Sequence, residues 1–570
     1  MSEPNRRPHR LHAALAAAAA AVLLLAGCDV LGGNSEGKDG GASDAGGTKA
    51  IATAPATPAL AELGESPSQH LKSDPATDPA YERYYQQKVT WGECTDVKDA
   101  AEGLECGTVT VPKVWKDPSQ GDLNIAVART KATGERKGGL LLNPGGPGGS
   151  GVDYASIFAE STASPELKAA YDVIGFDPRG VSRSHGIHCL SDEEFGKVYD
   201  APTPPDATAE ENLKRSLDFS KKMADGCEKS AGDLIPYLDT YSAARDMDVI
   251  RAVVARTDKL DYLGFSYGTY LGATYADLYP ARVGHMVLDA AMDPALTLDQ
   301  IGAGQVAGFE KAFEAYIANC LESAEDCPLR GSVPEAKEQL LQMLETWDGN
   351  PLPTNSEEGR RMTGSHAGSA LTLGMYDDAM WPYVTMGLRQ AAEGDGTMLL
   401  KISDLAVERE PGGHFKGNSR FAIQAINCLD HPGVTDEAWQ KARSQELEKK
   451  YPLMGENAGY GAAFCAQWPM KPVRKPAPIS AKGAAPIVVI GTTGDPATPY
   501  QWSQSLAKQL DSGVLLTFDG NGHTAYGRSG GCIEEAVDAY LLEDKTPQDG
   551  LRCASSGGGQ NGQSDGGNGS

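Results

Sequence analysis

Five residues, Gly264-Phe265-Ser266-Tyr267-Gly268, lie between a short apolar run, Leu260 to Leu263, and a helix-like stretch, Thr269 to Tyr279. A serine on a sharp strand-to-helix turn flanked by glycines is lifted above the end of a sheet, where a general base can take its proton. The same spacing recurs at Gly527-Arg528-Ser529-Gly530-Gly531 and at Gly562-Gln563-Ser564-Asp565-Gly566. No apolar run leads directly into the second, and the third lies in a Gly/Ser/Asn tail. Ser266 is the candidate nucleophile. Two later glycine-rich loops offer its partners. Gly491-Thr492-Thr493-Gly494-Asp495-Pro496 follows the apolar run Pro486 to Ile490, and Gly520-Asn521-Gly522-His523 follows Val514 to Phe518. In that order His523 would take the Ser266 proton while Asp495 fixes the imidazole tautomer and stabilises the imidazolium. Asp495 as a plain turn residue is the alternative, and Asp293 is a rival acid from another strand end. His185 and His188 follow an earlier strand, His285 falls inside one, and His366, His414 and His431 lie in a long helical stretch.

Acyl transfer also needs donors for the tetrahedral oxyanion. The run Asn143-Pro144-Gly145-Gly146-Pro147-Gly148-Gly149-Ser150-Gly151 follows a strand-like segment, and its exposed amides suit that task. The amide of Tyr267, one residue past the candidate nucleophile, is the expected partner donor. The loop also contains Gly146-x-Gly148-x-x-Gly151, formally a dinucleotide fingerprint, but Pro147 falls inside it. A purely structural glycine turn is the third reading. No cysteine or histidine grouping has zinc spacing, so neither metal nor cofactor is expected.

These residues need a sheet to carry them. Gly139 to Asn143, Tyr171 to Phe176, Leu260 to Leu263, Val283 to Leu288, Pro486 to Ile490 and Val514 to Phe518 read as strands alternating with helices. That is the signature of an α/β architecture with a mostly parallel central sheet. From about Ala295 to Ala481 the strand rhythm stops and amphipathic helices take over, for example Val306 to Leu321 and Glu335 to Trp347. A large helical insertion after the sixth strand would cover the carboxyl ends of the sheet as a cap. The expected organisation is a leader over 1–28, a disordered tether over 29–78, core over 79–294, cap over 295–481, core again over 482–553, and a disordered tail over 554–570.

The leader combines Arg6, Arg7 and Arg10 with the apolar run Leu11 to Leu25, too short for a confident membrane span and right for a signal peptide. It ends in Leu25-Ala26-Gly27-Cys28, which resembles a bacterial lipobox, so Cys28 is the expected lipidation site and the membrane anchor; a plain secretory signal is the alternative. Of 11 cysteines, ten remain after Cys28 and fall into local pairs along the chain, as structural disulfides outside the cytosol would. The net charge of −26 excludes nucleic acid as a natural partner, since its phosphates would be repelled. Nothing in the sequence sets an oligomeric state.

Several of these motifs in this order resemble one group: NPGGPGGSG at Asn143 to Gly151, FDPRGVSRS at Phe176 to Ser184, GFSYGTYLG at Gly264 to Gly272, GTTGDPATP at Gly491 to Pro499 and GHTAYG at Gly522 to Gly527. The chain resembles the secreted tripeptidyl aminopeptidases of actinobacteria, α/β-hydrolases related to prolyl aminopeptidases, over about Val89 to Leu542. The resemblance implies Ser266, Asp495 and His523 as nucleophile, acid and base, Gly146 and Tyr267 as oxyanion donors, and release of short peptides, tripeptides first, from free N-termini. Two positions depart from it. Pro144 stands where proline-specific relatives usually have histidine, and Ala290 stands in Leu288-Asp289-Ala290 where a glycine is expected. An exopeptidase must also read an α-amino group, and Asp430, in Asn427-Cys428-Leu429-Asp430, is the candidate carboxylate, with an ordinary capping residue as the alternative. Arg179 is expected to tie strand-end loops together. An esterase or lipase on the same scaffold, or a non-catalytic peptide-binding lipoprotein, would share much of this pattern.

Overall fold

The computed structural model describes residues 58–554 apart from 67, 68, 70, 203, 205–207, 324, 325 and 457. The basic leader, the run Leu11 to Leu25, Cys28 and Ser564 lie outside the described residues.

Among the described residues, ten strands form one sheet: β1 Gly92–Glu93, β2 Glu105–Pro112, β3 Asp122–Thr130, β4 Gly138–Asn143, β5 Tyr171–Phe176, β6 Leu260–Phe265, β7 Val283–Asp289, β8 Ile487–Gly494, β9 Gly513–Asn521 and β10 Leu551–Ala554. Their order is β1-β2-β3-β5-β4-β6-β7-β8-β9-β10. Pairings from β1 to β5 are antiparallel, and every pairing from β5 through β4 to β10 is parallel. Every residue of β4 and β5 is buried, as in strands covered by helices on both faces. That is why β4 and β5 stand out in the sequence as mainly apolar runs. The helical insertion follows β7. The expected place was after a sixth strand; seven precede it, and of these β1, β2 and β3 are not among the strand runs named from the sequence.

The insertion is two things. The helices Leu298–Glu322, Val333–Gly349, Gly364–Gly374, Trp381–Ala392 and Thr397–Ala406 enclose their own core around Phe309, Phe313, Trp347, Leu371 and Val384. The next helix, Ser419–Asp430, instead sends Phe421, Ala425, Ile426 and Leu429 into the core of the sheet beside Tyr267, Tyr270 and Leu271. The cap also borrows from elsewhere. After the helix Asp192–Tyr199, between β5 and β6, Asp200 accepts from Arg360 at 2.7 Å, while within it Tyr199 meets Ser403 at 2.6 Å and Phe195 packs edge-on to Phe415. The division into core over 79–294 and cap over 295–481 is corrected accordingly, because amphipathic periodicity tells a helix that it has a partner but not which one.

Of the tether expected over 29–78, residues 29–57 lie outside the described residues, and part of the rest is docked. Within 58–78, Ala61 N–H donates to Gly433 C=O and Gly64 N–H to Pro472 C=O, both at 2.8 Å, and Ala59 C=O accepts from Thr435. Backbone groups pair whatever their side chains, so a Gly/Ala/Pro-rich composition does not forbid docking. The cysteines pair as neighbours along the chain: Cys94–Cys106, Cys189–Cys227, Cys320–Cys327, Cys428–Cys465 and Cys532–Cys553. Five disulfides mark a protein that folds outside the reducing cytosol.

Candidate active site

The strand ends are level where the candidate residues sit: Asn143 pairs with Gly264, Phe265 with Asp289, and Asp289 with Ile490. Ser266 follows β6 at φ 55° and ψ −123°, and the helix Tyr267–Leu278 starts at the next residue. A positive φ at serine is strain that the surroundings must hold. Ser266 N–H donates to Asp289 C=O at 3.0 Å, and Thr269 Oγ1 donates to Ser266 C=O at 2.6 Å. A Cβ on Gly268 would lie 2.7 Å from Asn143 O, and one on Gly264 would lie 2.5 Å from Gly268 O. Both flanking glycines are therefore needed for the turn to seat. The loop after β4 lies against it, since a Cβ on Gly145 would sit 2.9 Å from Ser266 Cβ and 3.1 Å from Tyr267 N. The expected donors Gly146 and Tyr267 thus belong to two segments in contact beside Ser266.

Asp495 and His523 meet. His523 Nδ1 is 2.9 Å from Asp495 Oδ2 and 3.0 Å from Oδ1, both side chains being buried. Asp495 Oδ1 also accepts the N–H groups of Ala497 and Thr498 at 2.9 Å, and Oδ2 accepts Thr498 Oγ1 at 3.0 Å. A carboxylate there draws the imidazole proton to Nδ1 and leaves Nε2 as an acceptor. His523 Nε2 is buried and makes no hydrogen bond. It is not bonded to Ser266, a contact that tightens in such sites when substrate binds.

Two residues that the sequence reading passed over hold this pair in place. Asp289 ties both halves together: its carbonyl accepts Ser266 N–H, and its carboxylate accepts Ala525 N–H at 3.0 Å and Tyr526 N–H at 2.8 Å, just past His523. Burial raises its carboxyl to about 6, against the lowering effect of those two N–H groups. Ala290, at the expected glycine position, has φ 60°, so a left-handed backbone explains that expectation even though alanine occupies it. Tyr376, from the cap, accepts His523 N–H through its carbonyl at 2.8 Å and packs its ring edge-on to the imidazole.

The rivals are engaged elsewhere. Asp293 accepts Gln509 Nε2 at 2.7 Å and Ala295 N–H at 2.9 Å. Ser529 Oγ donates to Glu534. Arg179 is fully buried, forks onto Asp246 at 2.6 and 2.7 Å and donates to the carbonyls of Lys113 and Tyr237, a loop tie as expected. Among the described residues, no group of three or more His, Cys, Asp or Glu side chains is arranged to hold a metal ion.

Asp430 lies behind the turn. It is buried, and its two oxygens accept the backbone N–H of Thr240, at 3.1 Å, and the Thr240 hydroxyl. Burial pushes its carboxyl up to about 7, against the pull of Arg474 and the Thr240 hydrogen bonds and with Asp239 adding to the rise. Tyr267, Tyr270 and Tyr241 complete its charged and titratable surroundings. Its folded pKa lies above its unfolded value, so its contribution to stability is whole below about pH 4 and is lost as pH rises through about 7. Asp430→Asn should therefore lose less thermal stability between about pH 5 and pH 8 than the unsubstituted protein. At about 1.4 kcal/mol per pKa unit, the difference is bounded on the order of 4 kcal/mol. Melting curves that stay parallel across that range would show that Asp430 does not titrate in this way.

The sequence comparisons agree with the fold. Residues 139–368 match the family described as "alpha/beta hydrolase fold", and residues 451–553 match "TAP-like protein". Serine protease Hip1 of Mycobacterium tuberculosis is 34% identical over 480 residues, 82% of this chain and 91% of that one. The chain belongs to the TAP-like family of α/β-hydrolases. It is a serine hydrolase. Tripeptidyl aminopeptidase of Streptomyces lividans is 30% identical over 481 residues, covering 82% of this TAP-like chain and 86% of its own. Carboxylesterase B of Mycobacterium tuberculosis is 35% identical over 477 residues, covering 82% and 90%. Within the TAP-like family, then, relatives of similar closeness carry peptidase and esterase names.

Proposed function

We propose that the protein is a secreted serine exopeptidase that releases short peptides, tripeptides first, from free N-termini. The observation that carries the reading is the buried Asp495–His523 pair with an unbonded Nε2, on the same strand-end rim as the strained Ser266 turn. Ser266 Oγ attacks the scissile carbonyl and passes its proton to His523 Nε2. The imidazolium is held by Asp495 at Nδ1, and the oxyanion is met by the amides of Gly146 and Tyr267. His523 then protonates the leaving amine, and the acyl-enzyme at Ser266 is hydrolysed by water activated at the same nitrogen. Cys28 serves as the lipid-modified anchor to the cell membrane. Two relatives with peptidase names support a peptide substrate, and the carboxylesterase name favours an ester as the second reading.

The test uses chromogenic substrates of one to four residues, each with a free or an acetylated N-terminus, beside a short-chain ester. Turnover peaking at the free tripeptide supports the exopeptidase. Ester cleavage alone, indifferent to acetylation, replaces it with the esterase.

A further inference from the structure

The helix Ser419–Asp430 touches both segments that flank the reacting centre. At its start, the Asn418 side chain donates to the carbonyls of Gly180 and Ile187 at 2.8 and 2.9 Å and accepts Ser182 N–H at 2.8 Å. Ser419 packs on the loop after β4 so closely that a Cβ on Gly148 would lie 3.0 Å from Ser419 Cα. At its end, Asp430 accepts the Thr240 hydroxyl, and Thr240 Oγ1 lies 2.5 Å from the Tyr267 hydroxyl. Thr240 has one hydroxyl proton. When it goes to the Asp430 carboxylate, the Tyr267 O–H must donate to Thr240, giving a directed chain from Tyr267 through Thr240 to Asp430. The disulfide Cys428–Cys465 ties the same end of the helix to the segment that follows it.

We propose that this helix is a brace for the oxyanion site, and that Asp430 is a positioning residue that acts through Thr240 on Tyr267. The proposal rests on the reading of the Tyr267 amide as an oxyanion donor. Loop and turn meet at the substrate carbonyl, and one rigid element spanning from Gly148 to Tyr267 fixes their spacing. A donor displaced by a fraction of an ångström serves the ground state nearly as well but loses the developing oxyanion. The side chain is enclosed with both oxygens engaged, which suits this role and not the reception of a substrate amine.

The test compares Asp430→Asn, Thr240→Val, Tyr267→Phe and the double variant Asp430→Asn/Tyr267→Phe. The substrates are free and acetylated tripeptide anilides and a short-chain ester, with thermal unfolding as the check on folding. Each single change should lower kcat by about 10- to 100-fold with KM nearly unchanged, by the same factor on every substrate cleaved. The double variant should be no slower than the slower single one, since both cut the same chain. A loss confined to free N-termini would make Asp430 an amine receptor and overturn the proposal, as would unchanged kcat or losses that multiply. If the protein cleaves only the ester, the exopeptidase reading falls while the ester kcat still decides the brace.

Discussion

Ser266→Ala is expected to abolish turnover, by about a million-fold at the scale of other triad serines, while the melting temperature stays close to that of the unsubstituted protein. The hydroxyl makes no contact on which the fold depends. The turn is held by backbone, through Ser266 N–H to Asp289 and Thr269 Oγ1 to Ser266 C=O, and alanine keeps both. Ser529→Ala is the matched control. Its hydroxyl is spent on Glu534 in the loop before the helix Cys532–Glu543, so turnover should stay within about twofold, at a cost of roughly 1 kcal/mol in stability. Steady-state kinetics with melting curves reads both. The reverse pattern would move the nucleophile to Ser529.

The second large effect is expected at Asp495→Asn, with kcat lower by about 10⁴-fold. The orientation of the asparagine is dictated by its neighbours. The backbone N–H groups of Ala497 and Thr498 both point at Oδ1, so the amide oxygen stays there and the amide nitrogen takes the Oδ2 position, 2.9 Å from His523 Nδ1. An N–H facing Nδ1 favours the tautomer protonated at Nε2, which cannot accept the serine proton. Because the exchange is isosteric and buried, the loss should fall on kcat and leave KM nearly unchanged. Asp293→Asn should keep near-normal turnover. Collapse at Asp293 with normal rates at Asp495→Asn would hand the acid role to the rival strand end.

The legibility of this site in the sequence followed from where it sits. Ser266, Asp495 and His523 each stand on a glycine-rich loop just past a buried strand, and buried parallel strands announce themselves as apolar runs. Disulfide partners were readable for a similar reason, because each pair is close along the chain. What escaped were residues whose meaning lies in tertiary contact. Asp289 reads as the last residue of a strand, yet it binds the serine turn with its backbone and the histidine loop with its side chain. Tyr376 acts through a backbone carbonyl, which leaves no side-chain signature. Asp430 has the residue type for an amine site, but sequence does not show that both its oxygens are turned inward to Thr240. The helix Asp192–Tyr199 falls inside the expected core and residues 58–78 inside the expected tether, and neither composition nor periodicity states which surface a segment will dock on.

Turnover depends most on Ser266 being activated by His523, and fluorophosphonate labelling of the intact protein tests this directly. A fluorophosphonate reacts with a serine only where a neighbouring base takes its proton and an oxyanion site receives the phosphoryl oxygen. Peptide mapping by mass spectrometry should find one adduct, on Ser266, formed rapidly in the unsubstituted protein and lost in His523→Ala. An adduct on any other serine, or labelling of Ser266 that is indifferent to His523, would contradict the account.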